Sequence, residues 1–423
     1  MIRRWTLWLL AAGMCASAAG QNKKAPVNYD ESLVPAYELP DVLRCADGTR
    51  VENAKQWERK RRPELLRMFS ELEYGVTPKH TGIEVEHELV AENPNAFGGL
   101  ATQKQVLFKF TGANGKTHQA LLLLYIPNAP KGRVPVIVSY NFHGNQSTTL
   151  EEDVIFSPSK EIVAEMGSEK WVRGEQRSRW SYELILHRGY AVATMAYDDI
   201  YPDLPHLRPY GISPLFPNYK EGERDADEWG AIGTWAWGYS RIADYLAKER
   251  RIDKKRMAVL GHSRLGKTAI WAGVQDKRFK VVMSNDSGCG GAALTKRVFG
   301  ENIARITAAF PHWFCTAFNQ FSENEKALPF DQHELLALVA PRHIYVASAQ
   351  NDEWADPKGE YLSAYHAGKV YELYGMQGLP SAEQPGIHQP QLYDVGYHYR
   401  AGKHDVTEYD WMCYLNYCDK YLK

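Results

Sequence analysis

Cysteine is scarce in this chain of 423 residues, which contains only six. One of them, Cys15, lies in the N-terminal segment, and the other five are an odd number spread over a large protein. A chain of this size does not need disulfides to fold, and no Cys/His spacing is typical of a zinc site. We therefore expect neither a metal nor a cofactor.

Neither sign of charge is in excess. The 50 Lys and Arg residues almost balance the 51 Asp and Glu residues, so the formal net charge is -1. Without a basic excess the chain has no electrostatic signature of nucleic-acid binding. No apolar run is long enough to span a membrane. We expect no nucleic-acid partner, no membrane partner and a monomeric protein.

The N-terminus has the features of an export signal. Arg3 and Arg4 precede a short apolar run, and small residues follow it. We predict a signal peptide over residues 1–20 and a periplasmic or secreted mature protein. Cys15 suggests a lipoprotein anchor, but Met14 before it fits such a signal poorly.

Residues 21–423 are predicted to form a single α/β domain. The apolar and polar residues alternate between residues 83 and 127, and Asn114-Gly115 is a hairpin signal there. From about residue 134, short apolar strands alternate with helices. This pattern predicts a three-layer sandwich, with a mostly parallel central sheet and antiparallel N-terminal strands.

Three further segments have particular patterns. An amphipathic helix is predicted over residues 53–73, interrupted near Pro63. Residues 200–227 are rich in Pro and Tyr, and residues 375–400 are rich in Gly, Pro and Gln. Loops this long in a compact domain are often functional, so we predict that both insertions lie near the active site.

The segment RMAVLGHSRLGKTAIW, residues 256–271, resembles a strand, a turn and a helix around Ser263. A nucleophilic serine on such a turn usually has the pattern Gly-x-Ser-x-Gly. Here Leu265 occupies the place of the second glycine, and Gly266 follows one residue late. The pattern leaves open whether Ser263 is a nucleophile or part of an ordinary turn.

A nucleophilic serine also needs a histidine base and an acid, which follow it in the α/β-hydrolase fold in the order Ser, acid, His. Asp352 follows an apolar strand, and His404 precedes the last helix, for which Asp405 is the predicted N-cap. Asp286 ends an earlier strand and is a second candidate acid. The spacing does not decide between Asp286 and Asp352.

Two groups are predicted to stabilise the negative charge of an acyl-transfer intermediate. The first is the backbone N–H of Arg264, and the second is the loop of residues 142–144 after the strand VPVIVSYNF. Arg264 and Lys267 would also make the pocket suited to an anionic ligand if both side chains face it.

The motif GHSRLGK resembles the Gly-Cys-Ser-Arg-x-Gly-Lys motif of glucuronoyl esterases, carbohydrate esterase family fifteen, in their bacterial form. The segments NDSGCGGAA, NDEWADP and GKHD resemble three further motifs of that family, and the resemblance covers roughly residues 30–420. It implies an α/β-hydrolase that cleaves esters between (4-O-methyl)glucuronic acid of glucuronoxylan and lignin-type alcohols.

The resemblance also implies catalytic roles for single residues. Ser263 would be the nucleophile, His404 the base and Arg264 a stabiliser of the oxyanion. Asp286 lies where many members have Glu, and Asp352 lies where some bacterial members have a second acid. We favour Asp352 as the main acid, with Asp286 as its partner.

The implied binding residues are Lys267, Glu301 and Trp354, which would hold the hydroxyls and the ring of the uronoyl sugar. The chain departs from fungal members, whose two cysteines beside the serine and the histidine are replaced here by His262 and Asp405. That disulfide cannot exist in this protein. Two alternative functions are a xylan acetyl esterase, or other carbohydrate carboxylesterase, and a non-catalytic polysaccharide-binding protein.

Overall fold

A computed structural model of the protein describes residues 27–79, 81–160, 162, 171–222 and 224–423. The predicted signal peptide over residues 1–20 lies outside the described residues and stays a prediction. None of the described helices combines the length and the apolar character that a membrane span requires.

The described part of the chain contains a single ten-stranded sheet. The strands are β1 (Glu84–Asn95), β2 (Ala101–Thr111), β3 (Thr117–Pro127), β4 (Val134–Asn141), β5 (Ala191–Ala196), β6 (Ile252–His262), β7 (Phe279–Asn285), β8 (His343–Ala349), β9 (Gln391–Leu392) and β10 (Val395–Arg400). The order across the sheet is β1-β2-β3-β5-β4-β6-β7-β8-β10-β9.

The middle of this sheet is parallel, and its N-terminal edge is antiparallel. Each neighbouring pair from β5 through β4, β6, β7 and β8 to β10 is parallel. Strands β1, β2 and β3 pair with antiparallel neighbours, and β2 and β3 form the predicted hairpin around Asn114-Gly115. The prediction of a mostly parallel sheet with antiparallel N-terminal strands is confirmed.

Helices cover both faces of the sheet. The longer ones are α1 (Arg62–Phe69), α2 (Tyr182–His187), α3 (Ala231–Leu246), α4 (Arg264–Gln275), α5 (Ile303–Ala309), α6 (Gln332–Ala337), α7 (Pro357–Glu372) and α8 (Glu408–Leu422).

Alternate residues of the central strands belong to two separate hydrophobic cores. On β6, Met257 and Val259 pack with α3, α4, α6 and α7, whereas Ala258 and Leu260 pack with α2 and α8. Successive side chains of a strand point to opposite faces, so a strand buried on both sides is apolar throughout. This accounts for the apolar run of β6 and completes the three-layer sandwich.

The predicted helix of residues 53–73 is confirmed, and the interruption predicted near Pro63 is a wide turn rather than a break in the helix. Helical backbone runs through Ala54–Gln56, Trp57–Arg61, Arg62–Phe69 and Ser70–Tyr74. The turn before the proline is widened, because the N–H of Arg62 donates to the carbonyl of Trp57 five residues earlier. A wide turn of this kind accommodates Pro63 near the start of α1.

Two boundaries near the C-terminus also differ from expectation. Residues 375–400 are not all loop, because the last part of this segment forms β9 and β10. Helix α8 begins after Thr407 rather than Asp405, and Thr407 and Asp410 form a reciprocal capping box. The carboxylate of Asp405 instead accepts a hydrogen bond of 2.6 Å from Arg179 Nε.

The junction of β6 and α4 leaves no space for a side chain at Gly261. A Cβ atom there would lie 1.8 Å from the carbonyl oxygen of Leu265. Only a residue without a side chain allows the helix to turn back this closely onto the strand.

We predict that Gly261→Ala lowers the free energy of unfolding by about 1–3 kcal/mol or more, because overpacking forces the turn apart. Gly132→Ala is the matched control, since a Cβ at Gly132 meets nothing within 4 Å. Urea unfolding of both variants measures the difference. Equal stability of Gly261→Ala and the control would show that the junction is not tightly constrained.

Candidate active site

Ser263 occupies a strained turn between β6 and α4. Its backbone has φ 59° and ψ −129°, a conformation that non-glycine residues rarely adopt. The N–H of Ser263 donates to the carbonyl of Asn285 at the end of β7, over 2.9 Å. A serine held in this way at a sharp strand-to-helix turn exposes its hydroxyl at the C-terminal end of the parallel strands, as a nucleophile requires.

The late glycine of the motif has a packing role. A Cβ at Gly266 would lie 2.9 Å from Ser287 Cβ and 3.0 Å from Ser284 Oγ. Gly266 therefore lets the first turn of α4 pack against the end of β7. The displaced glycine fits this close approach of the helix to the sheet.

His404 and Asp352 are in contact. His404 Nδ1 and Asp352 Oδ2 lie 2.5 Å apart, and the side chains are 39% and 5% exposed. An acid that is buried behind a partly exposed imidazole fixes the ring and leaves the other nitrogen, Nε2, directed away from the acid. The loop before α8 therefore presents a histidine oriented by a carboxylate that follows β8.

Asp286 lies close to this pair but has other partners. Its Oδ1 accepts a hydrogen bond of 2.7 Å from the N–H of Ala349, and Arg400 Nη2 lies 3.4 Å from its Oδ2. Burial, and then the charges of Glu360 and Asp352, raise the pKa of Asp286 well above its ordinary value. The surroundings of Asp286 thus disfavour its ionised form.

The side chains of Asp286, Asp352 and His404 are also close enough together to hold a small cation. Ligand atoms of Asp286, Asp352 and His404 all lie within 4.8 Å of one another. Asp352 lies at hydrogen-bonding distance from His404 Nδ1, so the cluster suits proton transfer without a cation.

His262 lies directly beside the histidine base. The ring centroids of His262 and His404 are 4.4 Å apart, and His262 Nδ1 lies 2.5 Å from the amide of Asn285. Burial, followed by the charge of His404, lowers the pKa of His262 well below its ordinary value. A neutral imidazole therefore packs against His404 where fungal relatives were expected to have a cysteine.

Arg264, the first residue of α4, extends among aromatic rings. Its guanidinium carbon lies 4.8 Å from the ring centre of Trp313, 5.6 Å from Phe310 and 5.8 Å from Phe142. Its Nη1 donates to the carboxylate of Asp203. The cation is therefore fixed next to Ser263 rather than extended into solvent.

The predicted binding residues Lys267, Glu301 and Trp354 also lie together. Lys267 is buried, and its Nζ donates to the carbonyl of Ser287. The N–H of Glu301 donates to the carbonyl of Trp354 over 2.9 Å. Burial raises the pKa of Glu301, whereas the charges of Lys267 and Arg264 act in the opposite direction. These three residues form a polar wall with one partly exposed aromatic ring.

The loop after β4 lies on another side of the serine. Phe142 makes an edge contact with His262, with ring centres 6.0 Å apart. Gly144 has φ 81°, and His143 Nδ1 lies 2.5 Å from Glu175 Oε1. The loop is thus held near the turn, as expected of a segment that supplies a backbone donor.

Sequence reasoning missed several residues that organise the site. Asp203 binds Arg264 and accepts hydrogen bonds from His312 and Trp313, and Arg400 links Asp286 to Asp410 of α8. The sequence did indicate the region of Asp203, because Asp203 lies in the insertion of residues 200–227, which was predicted to lie near the active site.

Comparisons with known proteins indicate the family to which the chain belongs. A family model described as glucuronyl esterase of fungi matches residues 213–375. The chain is 42% identical over 404 residues to carbohydrate esterase MZ0003 of an unknown prokaryotic organism, covering 93% of this chain and 92% of that protein.

Two solved structures are similar over almost the whole chain. A glucuronoyl esterase from Solibacter usitatus has a TM-score of 0.84 and 41% identity, covering 93% of this chain and 100% of that one. A promiscuous esterase of carbohydrate esterase family fifteen from a marine bacterial metagenome has a TM-score of 0.84 and 40% identity, covering 94% and 100%. The chain therefore belongs to carbohydrate esterase family fifteen, the glucuronoyl esterases, and has their α/β-hydrolase fold.

Proposed function

We propose that this protein is an exported, monomeric serine esterase that hydrolyses esters between (4-O-methyl)glucuronic acid of glucuronoxylan and lignin-type alcohols. The observation that carries the proposal is the constellation of Ser263 on its strained turn, His404 bonded to Asp352, and the cationic and polar wall beside them. Membership of the glucuronoyl esterase family supports the substrate class.

The first half-reaction is acylation of Ser263. His404, oriented through its Nδ1–H by Asp352, takes the proton of the serine hydroxyl at Nε2 as the oxygen attacks the ester carbonyl. The tetrahedral intermediate then collapses, and His404 gives the proton to the departing alcohol. A uronoyl group remains bound to Ser263 as an ester.

The second half-reaction releases the uronic acid. His404 takes a proton from water, and the resulting hydroxide attacks the acyl-enzyme carbonyl. Collapse of this intermediate returns the proton to the serine oxygen. In both halves the oxyanion would be stabilised by the backbone N–H of Arg264, a donor from the loop of residues 142–144, and the Arg264 guanidinium.

The sugar would be held by the polar wall. Lys267 and Glu301 offer a donor and an acceptor for ring hydroxyls, and Trp354 offers a ring face for the pyranose. An acetyl ester has no sugar ring on its acyl side, so it would leave this wall without a partner. This difference favours uronate esters over acetyl esters as the substrate class.

The test is an activity panel on purified protein. We expect hydrolysis of benzyl glucuronate to exceed that of acetyl and feruloyl esters, and Ser263→Ala to lower kcat by about 10⁴-fold or more. Ser178→Ala, at an exposed serine, should retain full activity. Faster acetate release would instead indicate an acetyl esterase, and no turnover of any ester would indicate a binding protein.

The two acids are predicted to differ in their effect. Asp352→Asn should lower kcat by about 10²–10⁴-fold, because the histidine loses its orienting carboxylate. Asp286→Asn should cost less than about tenfold, because an amide resembles the neutral carboxyl that burial favours there. Steady-state kinetics on benzyl glucuronate gives both values.

The double variant Asp286→Asn/Asp352→Asn provides the control for this assignment. Its activity should be close to that of Asp352→Asn alone. If Asp286→Asn is as severe as Asp352→Asn, or if only the double variant is severe, Asp286 shares the role of the orienting acid.

Metal removal is a separate test of the acid and histidine cluster. We expect prolonged dialysis against EDTA to leave kcat unchanged, because Asp352 is engaged in orienting His404. Loss of activity that returns on addition of a divalent cation would assign Asp286, Asp352 and His404 as metal ligands instead.

A further inference from the structure

Asp203 is a buried carboxylate that binds the guanidinium of Arg264. Its Oδ1 accepts hydrogen bonds from His312 Nε2 at 2.8 Å and from Trp313 Nε1 at 2.6 Å. Its Oδ2 accepts from Arg264 Nη1 and from Tyr197 Oη, the latter at 3.0 Å. Four donors fill the acceptor capacity of a carboxylate, so Asp203 has no freedom to adopt another geometry.

These donors come from separate parts of the fold. Tyr197 follows β5, Arg264 begins α4, and His312 and Trp313 follow α5, up to 110 residues from Asp203 in sequence. The Asp203 side chain is 7% exposed. Burial opposes its ionisation, but Arg264 and the hydrogen bonds outweigh burial, and the pKa of Asp203 is lowered.

The rings around Arg264 restrict it further. Trp313 stacks on Phe310 with ring centres 3.8 Å apart and an angle of 3° between the planes. Trp313 contacts Asp203 through its indole nitrogen and Arg264 through its ring face. Nη1 of Arg264 donates to Asp203, and its Nε is buried without a hydrogen-bond partner in the described structure.

We propose that Asp203 is a positioning residue of the esterase reaction, which fixes the Arg264 guanidinium where the ester carbonyl oxygen becomes negatively charged. It does not touch the substrate and acts through Arg264 alone. A cation that is already held in place stabilises the developing charge without reorganisation during the reaction. This inference rests on the proposed function.

Asp203→Asn tests the proposal because it keeps the size of the side chain and removes half of its acceptors. The new amide group would face two donors, either Arg264 and Tyr197 or His312 and Trp313. In either orientation the guanidinium loses the negative charge that holds it in position. We expect kcat to fall by roughly 10- to 100-fold with little change in KM, since small misplacements of catalytic groups have effects of this size.

Glu228→Gln is the matched control. Glu228 is also a buried carboxylate bonded to an arginine, Arg208, which lies in the insertion of residues 200–227. Its carboxylate forms no hydrogen bond or ion pair with a proposed catalytic residue in the described structure. Glu228→Gln should retain wild-type kcat and KM, which separates the effect of Asp203 from general loss of a buried ion pair in this region.

A double-mutant cycle with Arg264→Ala tests whether Asp203 acts through Arg264. Asp203→Asn should lower kcat strongly when Arg264 is present and cost less than about threefold when Arg264 is absent. If the loss is equal in both backgrounds, or if Asp203→Asn alone retains wild-type kcat, the proposal is overturned. A rise in KM without a fall in kcat would also overturn it.

A second variant keeps the test decisive if Asp203→Asn does not fold. Trp313→Phe removes one donor to Asp203 and keeps an aromatic ring near Arg264, and its effect on kcat should likewise disappear in the Arg264→Ala background. The cycle is measured on whichever ester the wild type hydrolyses fastest. Failure of the glucuronoyl substrate assignment is therefore distinguishable from failure of the role of Asp203.

Discussion

The positive-φ backbone of Ser263 is the constraint on which the site depends. Its N–H is fixed to the end of β7, and the helix that follows turns back so closely that Gly261 and Gly266 cannot carry side chains. A strained residue of this kind persists only where the surrounding structure determines it, and here a buried parallel sheet does so. The strained turn presents the Ser263 hydroxyl at the C-terminal end of the central strand β6.

The charged side chains of the site differ in the partners that they contact. Asp352 faces His404, whereas Asp286 accepts a hydrogen bond from the backbone of β8, and burial, followed by the charge of Glu360, raises its pKa. Two neighbouring carboxylates with different partners can take different roles, and only Asp352 is in contact with the imidazole that it would orient. The position of Arg264 is also determined by its neighbours, because Asp203 and the aromatic rings hold its guanidinium in one place.

Much of the fold could be predicted from the sequence because buried parallel strands are continuous apolar runs. The run FKVVMSN has the same bounds as β7, and the polar residues that follow β6 and β8 include Ser263 and Asp352. Strand β10 was missed because its buried His398 and Arg400 are polar, and Asp410 of α8 satisfies both. The role of Asp405 as a cap was predicted wrongly, because Arg179, distant in sequence, binds its carboxylate.

The central claim is that Ser263 carries the uronoyl group during turnover, which mass spectrometry tests most directly. The protein is mixed with excess benzyl glucuronate, quenched in acid within milliseconds, digested and sequenced. A glucuronoyl adduct on Ser263 that disappears as the substrate is exhausted is the predicted result. An adduct on another residue, or a pre-steady-state burst of alcohol release with no adduct on any residue, would contradict the claim.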